Sequence, residues 1–384
     1  EYAREKGFTV SKEEFDAYMQ EQKELARNSR ESYSSMNVQN EELLNFSNEN
    51  VFVGYDKLEV ETTILSLYDG EKFVDSITDT GFVVLKETPL YVESGGQVSD
   101  KGIIIDNDLH LEVIGGFKGP NKQLFHQVKF SGTINVGDKV LASVDKTFRQ
   151  NVSKNHSATH LLQKALQEVL SNNVHQAGSK VDDKRLRFDF KYDGTINDDQ
   201  IIEVENLVNE KIKTDVLTVI KDMDIEEAKK MGAMALFSEK YGKIVRVVNI
   251  VDSVELCGGT HVVKSSDIGS FAIISVESKG QNVYRIEATT DSNIIPELFE
   301  QIKPYNEDMM KLLNKAANIV ENASLEDIVL DFNVQINNDK PKNYKDILFN
   351  LNELNTVKKA VSELEKSTFK VSLLGVTSAP DWIF

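Results

Sequence analysis

Four residues suited to hold one ion stand in two short clusters far apart in the chain. They are His156 and His160 in Asn-His-Ser-Ala-Thr-His, and Cys257 and His261 in Cys-Gly-Gly-Thr-His. An i,i+4 pair places two imidazoles side by side on one face of a helix, and a Cys-x-x-x-His loop offers a thiolate and a third imidazole. Any fold that uses them together must bring a helix and a distant loop to one point. The chain has six histidines and a single cysteine, so four of these seven residues at such spacings are not a scatter. Nitrogen and sulfur donors in a group of four favour zinc.

The residues around the first pair predict the helix. Ala158, Leu161, Leu162, Ala165, Leu166, Val169 and Leu170 recur at helical spacing as one apolar stripe. His156 and His160 project from the opposite side, near Gln163 and Gln167, and are expected outside the leucine core. Gly258 and Gly259 are expected to let the second loop turn so that Cys257 and His261 face one point. The spacing leaves open whether such a zinc is catalytic or only staples the two segments.

Length and content set the frame. With 384 residues, 40% of them hydrophobic, the chain can bury a large core in two to four domains. No apolar run reaches membrane-spanning length and no signal peptide is visible. One cysteine excludes an intramolecular disulfide, so the expected compartment is the reducing cytoplasm. The start at Glu1 without Met suggests a piece of something longer. A net charge of −18 argues against a nucleic-acid partner unless the positive residues are grouped. They are grouped: Lys180, Lys184, Arg185, Arg187 and Lys191 follow the histidine helix, and Lys240, Lys243 and Arg246 precede the cysteine cluster, where they would line a phosphate-facing groove.

The predicted architecture is α+β in four parts. Residues 1–49 form a helical connector and linker, with a capping box at Ser11 and Glu14 and a polar stretch from Asn28 to Asn50. Residues 50–150 read as a small β-barrel, with strands at Val51–Val53, Thr62–Leu67, Gly81–Leu85, Gly102–Ile105 and Lys139–Val144. Within it, Gly95 and Gly96 permit conformations and close approaches that a Cβ would block, and by themselves read as a hairpin rather than a site. Residues 151–290 read as an α/β sandwich carrying both metal clusters. Its elements include a strand with Leu186, Phe188 and Phe190 on one face, a helix from Glu203 to Thr214, and strands at Ile244–Ile250, Gly269–Val276 and Asn282–Ala288. Residues 291–384 read as helical, the second series Ile347, Leu351, Leu354, Val357, Val361 and Leu364 being close to a heptad. The tail through Trp382 and Phe384 is apolar without a visible partner.

Taken in order, Asn-His-Ser-Ala-Thr-His160, Gln176-Ala-Gly-Ser179, Arg185-Leu-Arg-Phe-Asp-Phe190, Gly232 to Gly242, Glu255-Leu-Cys-Gly-Gly-Thr-His-Val262 and Arg285-Ile-Glu-Ala288 resemble the editing domain of bacterial alanyl-tRNA synthetases. Glu93-Ser-Gly-Gly-Gln97 resembles the glycine motif of the barrel that precedes it, found also in freestanding alanyl-tRNA editing proteins. The resemblance covers residues 50 to about 290, and the opening helix is similar to the segment upstream of that barrel.

The resemblance implies an internal piece of a synthetase that attaches alanine to tRNA(Ala) with ATP. It further implies that the adenylating domain lies outside the chain, which would then not aminoacylate. The implied activity is hydrolysis of Ser-tRNA(Ala) and Gly-tRNA(Ala), with the acceptor end of tRNA(Ala) as partner and no membrane. A second, hydrolytic site is needed because a synthetic pocket rejects an added hydroxyl or a lost methyl weakly. Thr159 and Gln176 match the family's pocket residues, and His156, His160, Cys257 and His261 its zinc ligands. The alternatives are a freestanding deacylase and a tRNA-binding module with purely structural zinc. A protease is disfavoured, since His-x-x-x-His lacks the Glu of His-Glu-x-x-His and no other carboxylate stands at an obvious general-base position.

Overall fold

The computed structural model describes residues 41–234, 242–322 and 340–377, with side chains to residue 366. The expected opening helix, Lys240 and the tail with Trp382 and Phe384 lie outside the described residues. Packing divides the chain into two compact units. One takes in the residues up to Val92 and Gly102–Ser143, the other Glu93–Lys101 and the chain from Val144 onward. A nine-residue stretch in the middle of the barrel sequence thus belongs to the other unit.

Among the described residues the first unit opens on a short helix α1 (Glu41–Asn45), where the sequence reads as the end of a linker. Leu43 explains it, because this side chain is fully buried against Tyr68, Phe82 and Phe125. The strands that follow are β1 (Val51–Phe52), β2 (Glu59–Tyr68), β3 (Phe73–Val74), β4 (Ser76–Leu85), β5 (Glu87–Thr88), β6 (Gly102–Asp106), β7 (Leu109–Lys118), β8 (Leu124–Asn135) and β9 (Lys139–Val144). Strands run in the order β2-β4-β8-β7-β6-β9, and β9 pairs back onto β2 from Glu59↔Ser143 to Thr63↔Lys139. Six antiparallel strands therefore close a barrel, which removes exposed edges. Its filling includes stacked Phe117 and Phe125, with ring centroids 4.7 Å apart. β7 carries Gly115-Gly116 within its length. In the fold Gly116 allows close cross-strand approach, since a Cβ there would stand 2.4 Å from the Phe125 carbonyl oxygen.

The second unit holds α2 (Lys146–Val169), β10 (His175–Val181), β11 (Leu186–Lys191), α3 (Asp198–Lys213), β12 (Val219–Asp224), α4 (Ile225–Lys230), β13 (Ile244–Ile250), β14 (Ser253–Leu256), β15 (Phe271–Gly280), β16 (Val283–Thr290), α5 (Ile294–Asn322) and α6 (Tyr344–Thr377). Helix α2 starts where the Asp145 carboxylate accepts from the Phe148 N–H at 3.0 Å. It then runs 24 residues without Gly or Pro. Helix α3 starts five residues before the expected Glu203, because Asn197 and Gln200 form a reciprocal capping box.

Two antiparallel sheets complete the unit, in the orders β10-β11-β16-β15 and β12-β13-β14. Leu186, Phe188 and Phe190 of β11 are fully buried, as their alternation predicts. They join Leu161, Leu162, Ala165 and Leu166 of α2 and Val204 and Val208 of α3 in one core. Helices α5 and α6 pack on each other through Met309, Ala316, Leu354, Val357, Val361 and Leu364. Phe299, next to the fully buried Leu298, is 55% exposed. Among the described residues no helix is long and apolar enough to cross a membrane.

Candidate metal centre

The apolar stripe of α2 faces the four-stranded sheet, and the histidine side faces the loop after β14. Helical phase places the two histidines off the leucine face, as expected, yet they are not at the surface. His156 and His160 are 7% and 3% exposed. Periodicity separates the two faces of a helix without saying what covers the polar one, and here a second layer of protein covers it.

The ligating nitrogen and sulfur atoms of His156, His160, Cys257 and His261 all lie within 4.8 Å of one another. Cys257 Sγ is 3.4 Å from His156 Nε2 and 3.2 Å from His261 Nε2. The loop is shaped from beneath by Arg246 of β13, whose Nη1 donates to the carbonyls of Cys257 at 2.8 Å and Gly259 at 3.0 Å. The Gly259 N–H points at Cys257 Sγ, 3.4 Å away. Gly259 is not in the left-handed region. Its requirement is space, because a Cβ would stand 2.0 Å from His156 Cε1.

Each imidazole has a polar neighbour on its far nitrogen. His156 Nδ1 is 2.7 Å from Gln97 Oε1, and His261 Nδ1 is 3.2 Å from Ser157 Oγ. His160 Nδ1 is 3.4 Å from Glu255 Oε2, a contact without hydrogen-bond alignment. Burial depresses all three imidazoles, with Arg246 adding to it; His156 falls to about 4. Burial likewise pushes the Glu255 carboxyl up to about 8 and the Cys257 thiol up to about 12.

The donor set fits a metal ion on its own chemistry. Three imidazoles and a sulfur converge, and outer partners of the kind that orient metal-bound histidines stand at the other ring nitrogens of His156 and His261. Burial of the thiol opposes its ionisation, and a cation reverses that preference because only the thiolate ligates.

The pocket residues expected from the sequence lie in the same unit. Thr159 stands on α2 between the two histidines, 5% exposed, and its hydroxyl donates to the Asn155 carbonyl at 2.8 Å. Gln176 lies on β10, and its Nε2 donates to Ser179 Oγ at 3.1 Å. The expected phosphate-facing cations are partly spent within the protein. Arg185 pairs with Glu297 and Glu287, Arg187 approaches Asp189, and Arg246 serves the loop carbonyls. Lys180, Lys184, Lys191 and Lys243 remain exposed.

Gln97, Ser157 and Glu255 were not recognised as parts of the centre from the sequence. Ser157 and Glu255 sit inside the histidine and cysteine motifs, a signal that was available. Gln97 follows the double glycine. There Gly95 and Gly96 have φ of 60° and 84°, in a turn closed by mutual bonds between Ser94 and Gln97. The pair makes the expected turn, and Gly96 in addition needs space, since a Cβ there would stand 2.5 Å from the Ser179 carbonyl oxygen.

Residues 1–148 match the family described as tRNA synthetases class II (A), and residues 245–287 match the threonyl and alanyl tRNA synthetase second additional domain. The first match does not support the expectation that the aminoacylating region is absent. Alanine-tRNA ligases of Staphylococcus aureus strains JH9, Mu50 and N315 are each 46% identical to the chain over 295 residues. The alignment takes in 76% of this chain and 34% of each relative, so the chain spans about a third of their length.

Proposed function

For a chain that is a portion of an alanyl-tRNA synthetase, we propose that the second unit is a zinc-dependent editing site. It hydrolyses the ester of tRNA(Ala) wrongly charged with serine or glycine. The observation that carries the proposal is the convergence of His156, His160, Cys257 and His261 within 4.8 Å, in a unit whose residues 245–287 match the second additional domain. Nitrogen and sulfur donors in this number favour zinc over magnesium or calcium. When bound, such a cation supplies fixed positive charge beside which an ester carbonyl or a water is polarised.

The chain's own residues supply selection. The Thr159 hydroxyl spends its proton on the Asn155 carbonyl, which leaves its oxygen lone pairs to accept from a serine hydroxyl. Alanine offers no such donor. Gln176, on the strand that packs against α2, is the second polar group we assign to the pocket. Lys180, Lys184 and Lys191 are the cations available to tRNA phosphates near it. The whole enzyme's ligation of alanine to tRNA(Ala) with ATP in the cytoplasm belongs to the same proposal.

One observation favours a second reading. Four side-chain donors suffice for a closed tetrahedral shell, as in structural sites, which would leave a tRNA-binding module held together by its metal. Hydrolysis of Ser-tRNA(Ala) by the zinc-loaded chain decides between them. Under the editing reading, Thr159→Val and Gln176→Ala lower hydrolysis by ten-fold or more while tRNA binding persists, as expected when a positioned polar contact is removed. An intact ester at micromolar zinc-loaded chain leaves the binding module.

A further inference from the structure

We propose that Gln97 is a positioning residue of the metal centre, setting the tautomer in which His156 meets the ion. This rests on the reading of the quartet as metal ligands. The argument begins with a backbone donor. The Thr260 N–H can only donate, and its bond to Gln97 Oε1 at 2.9 Å identifies which end of the amide is oxygen. That oxygen can only accept. His156 Nδ1, 2.7 Å from it, therefore carries the ring proton. A neutral imidazole protonated on Nδ1 has its lone pair on Nε2, the nitrogen that faces Cys257 Sγ.

The other end of the amide is also committed. Gln97 Nε2 donates to Thr260 Oγ1 at 3.0 Å, and that hydroxyl in turn accepts from Ser153 Oγ at 3.0 Å. Gln97 is fully buried, so no water competes. Gly259 leaves room for this arrangement, since a Cβ there would lie 2.4 Å from His156 Nδ1 and 2.7 Å from Gln97 Oε1. The segment that delivers Gln97 is tied down on both sides. Val181 donates to the Gly96 carbonyl at 2.7 Å, Val98 donates to the Val181 carbonyl at 3.0 Å, and Asp100 pairs with Arg149.

The other two imidazoles lack this determinacy. Ser157 Oγ accepts from the Val262 N–H and can give or take a proton at His261, and Glu255 is not aligned with His160. Outer partners of this kind are worth 10- to 100-fold in metal affinity. Gln97 is thus the group that prepares its ligand before the ion arrives.

The test uses the full chain with Gln97→Met, close in shape but unable to accept, and Gln97→Glu, which keeps an acceptor and loses the amide donor. Zinc affinity is read by competition with a chromophoric chelator, and the His156 tautomer by long-range 15N NMR of the metal-free protein. We expect the proton on Nδ1 in the wild type. Gln97→Met should lose zinc affinity about 10- to 100-fold and mix the tautomers, and Gln97→Glu should restore most of the affinity. A purely structural role would lower the melting temperature of the variants without moving zinc affinity or tautomer. The proposal is overturned if Gln97→Met binds zinc like the wild type, if Gln97→Glu is no tighter than Gln97→Met, or if the wild-type proton sits on Nε2. A wild type that takes up no zinc overturns the metal reading together with it, whereas indifferent variants of a zinc-binding wild type overturn this inference alone.

Discussion

The carboxylate of Asp100 and the guanidinium of Arg149, 49 residues apart in sequence, meet as a buried two-pronged ion pair. Arg149 Nε reaches both carboxylate oxygens, at 2.9 and 3.1 Å, and Nη2 adds a further bond. Asp100 lies at the end of the Gly-Gly segment and Arg149 in the first turn of α2, so the pair holds that segment to the histidine helix.

Removing one partner should therefore cost more than a surface pair would. Asp100→Ala leaves a buried guanidinium without its carboxylate, and we expect a loss of about 3–5 kcal/mol in unfolding free energy. Denaturant titration of the wild type and variant measures it. A change below about 1 kcal/mol, the range of exposed pairs, would show that the pair carries no such weight.

Gly95 and Gly96 should respond unequally to alanine. Both have positive φ, for which a Cβ costs about 1–2 kcal/mol. Only Gly96 also meets the Ser179 carbonyl, since the space around Gly95 is open. Gly96→Ala should lower the melting temperature clearly more than Gly95→Ala and weaken zinc binding as it shifts Gln97. Equal effects of the two substitutions would remove close approach from the explanation.

Glu205 predicts a pH dependence away from the metal. Its carboxyl accepts from the Ile273 N–H at 2.7 Å and from the Tyr344 N–H at 3.1 Å, joining α3 to β15 and to the first residue of α6. Burial still pushes it up to about 7, against the lowering by these two bonds. The folded state then holds the proton more tightly than the unfolded chain. Glu205's contribution is fully present below about pH 4.5 and is lost as pH rises through about 7, a matter of a few kcal/mol. Urea unfolding of the wild type and Glu205→Gln at pH 5 and pH 8 isolates this group: as pH rises, the wild type should lose stability relative to the variant, while the buried histidines act on both alike. An unchanged slope in the variant would move its origin elsewhere.

Metal removal is expected to loosen the joint between α2 and the loop after β14. Zinc content by mass spectrometry should reach one ion per chain, and Cys257→Ala and His160→Ala should each abolish stoichiometric loading. Chelation should lower the melting temperature of the wild type and leave that of Cys257→Ala unmoved. An equal shift in both would place the metal's effect outside the quartet.

Much of this site was legible because its parts repeat at helical or loop spacing. His156 and His160 announce a helix face, and Cys257 and His261 fix the span of a loop. The β13 strand, Ile244–Ile250, was visible as a run rich in β-branched residues, interrupted only by Arg246 and Asn249. What escaped depends on contacts that spacing does not encode. Gln97 reaches His156 only because a segment leaves the barrel sequence, and Glu255 nears His160 only through the seating of β14 against α2. The burial of the histidine face escaped for the same reason, as an amphipathic pattern cannot say what lies over its polar side. Gly259 was read as a turn residue, whereas its place is set by the imidazole above it.

The passage of Glu93–Lys101 out of the barrel sequence and into the metal unit bears on how such a protein can be inherited. A recombination event with one junction between the barrel and the helix that follows would separate Gln97 and Asp100 from the groups they serve. Shuffling of these two units among genes is therefore expected to move them as one block, and a chimera joined near residue 144 should carry an ill-set metal site even when both halves come from working parents.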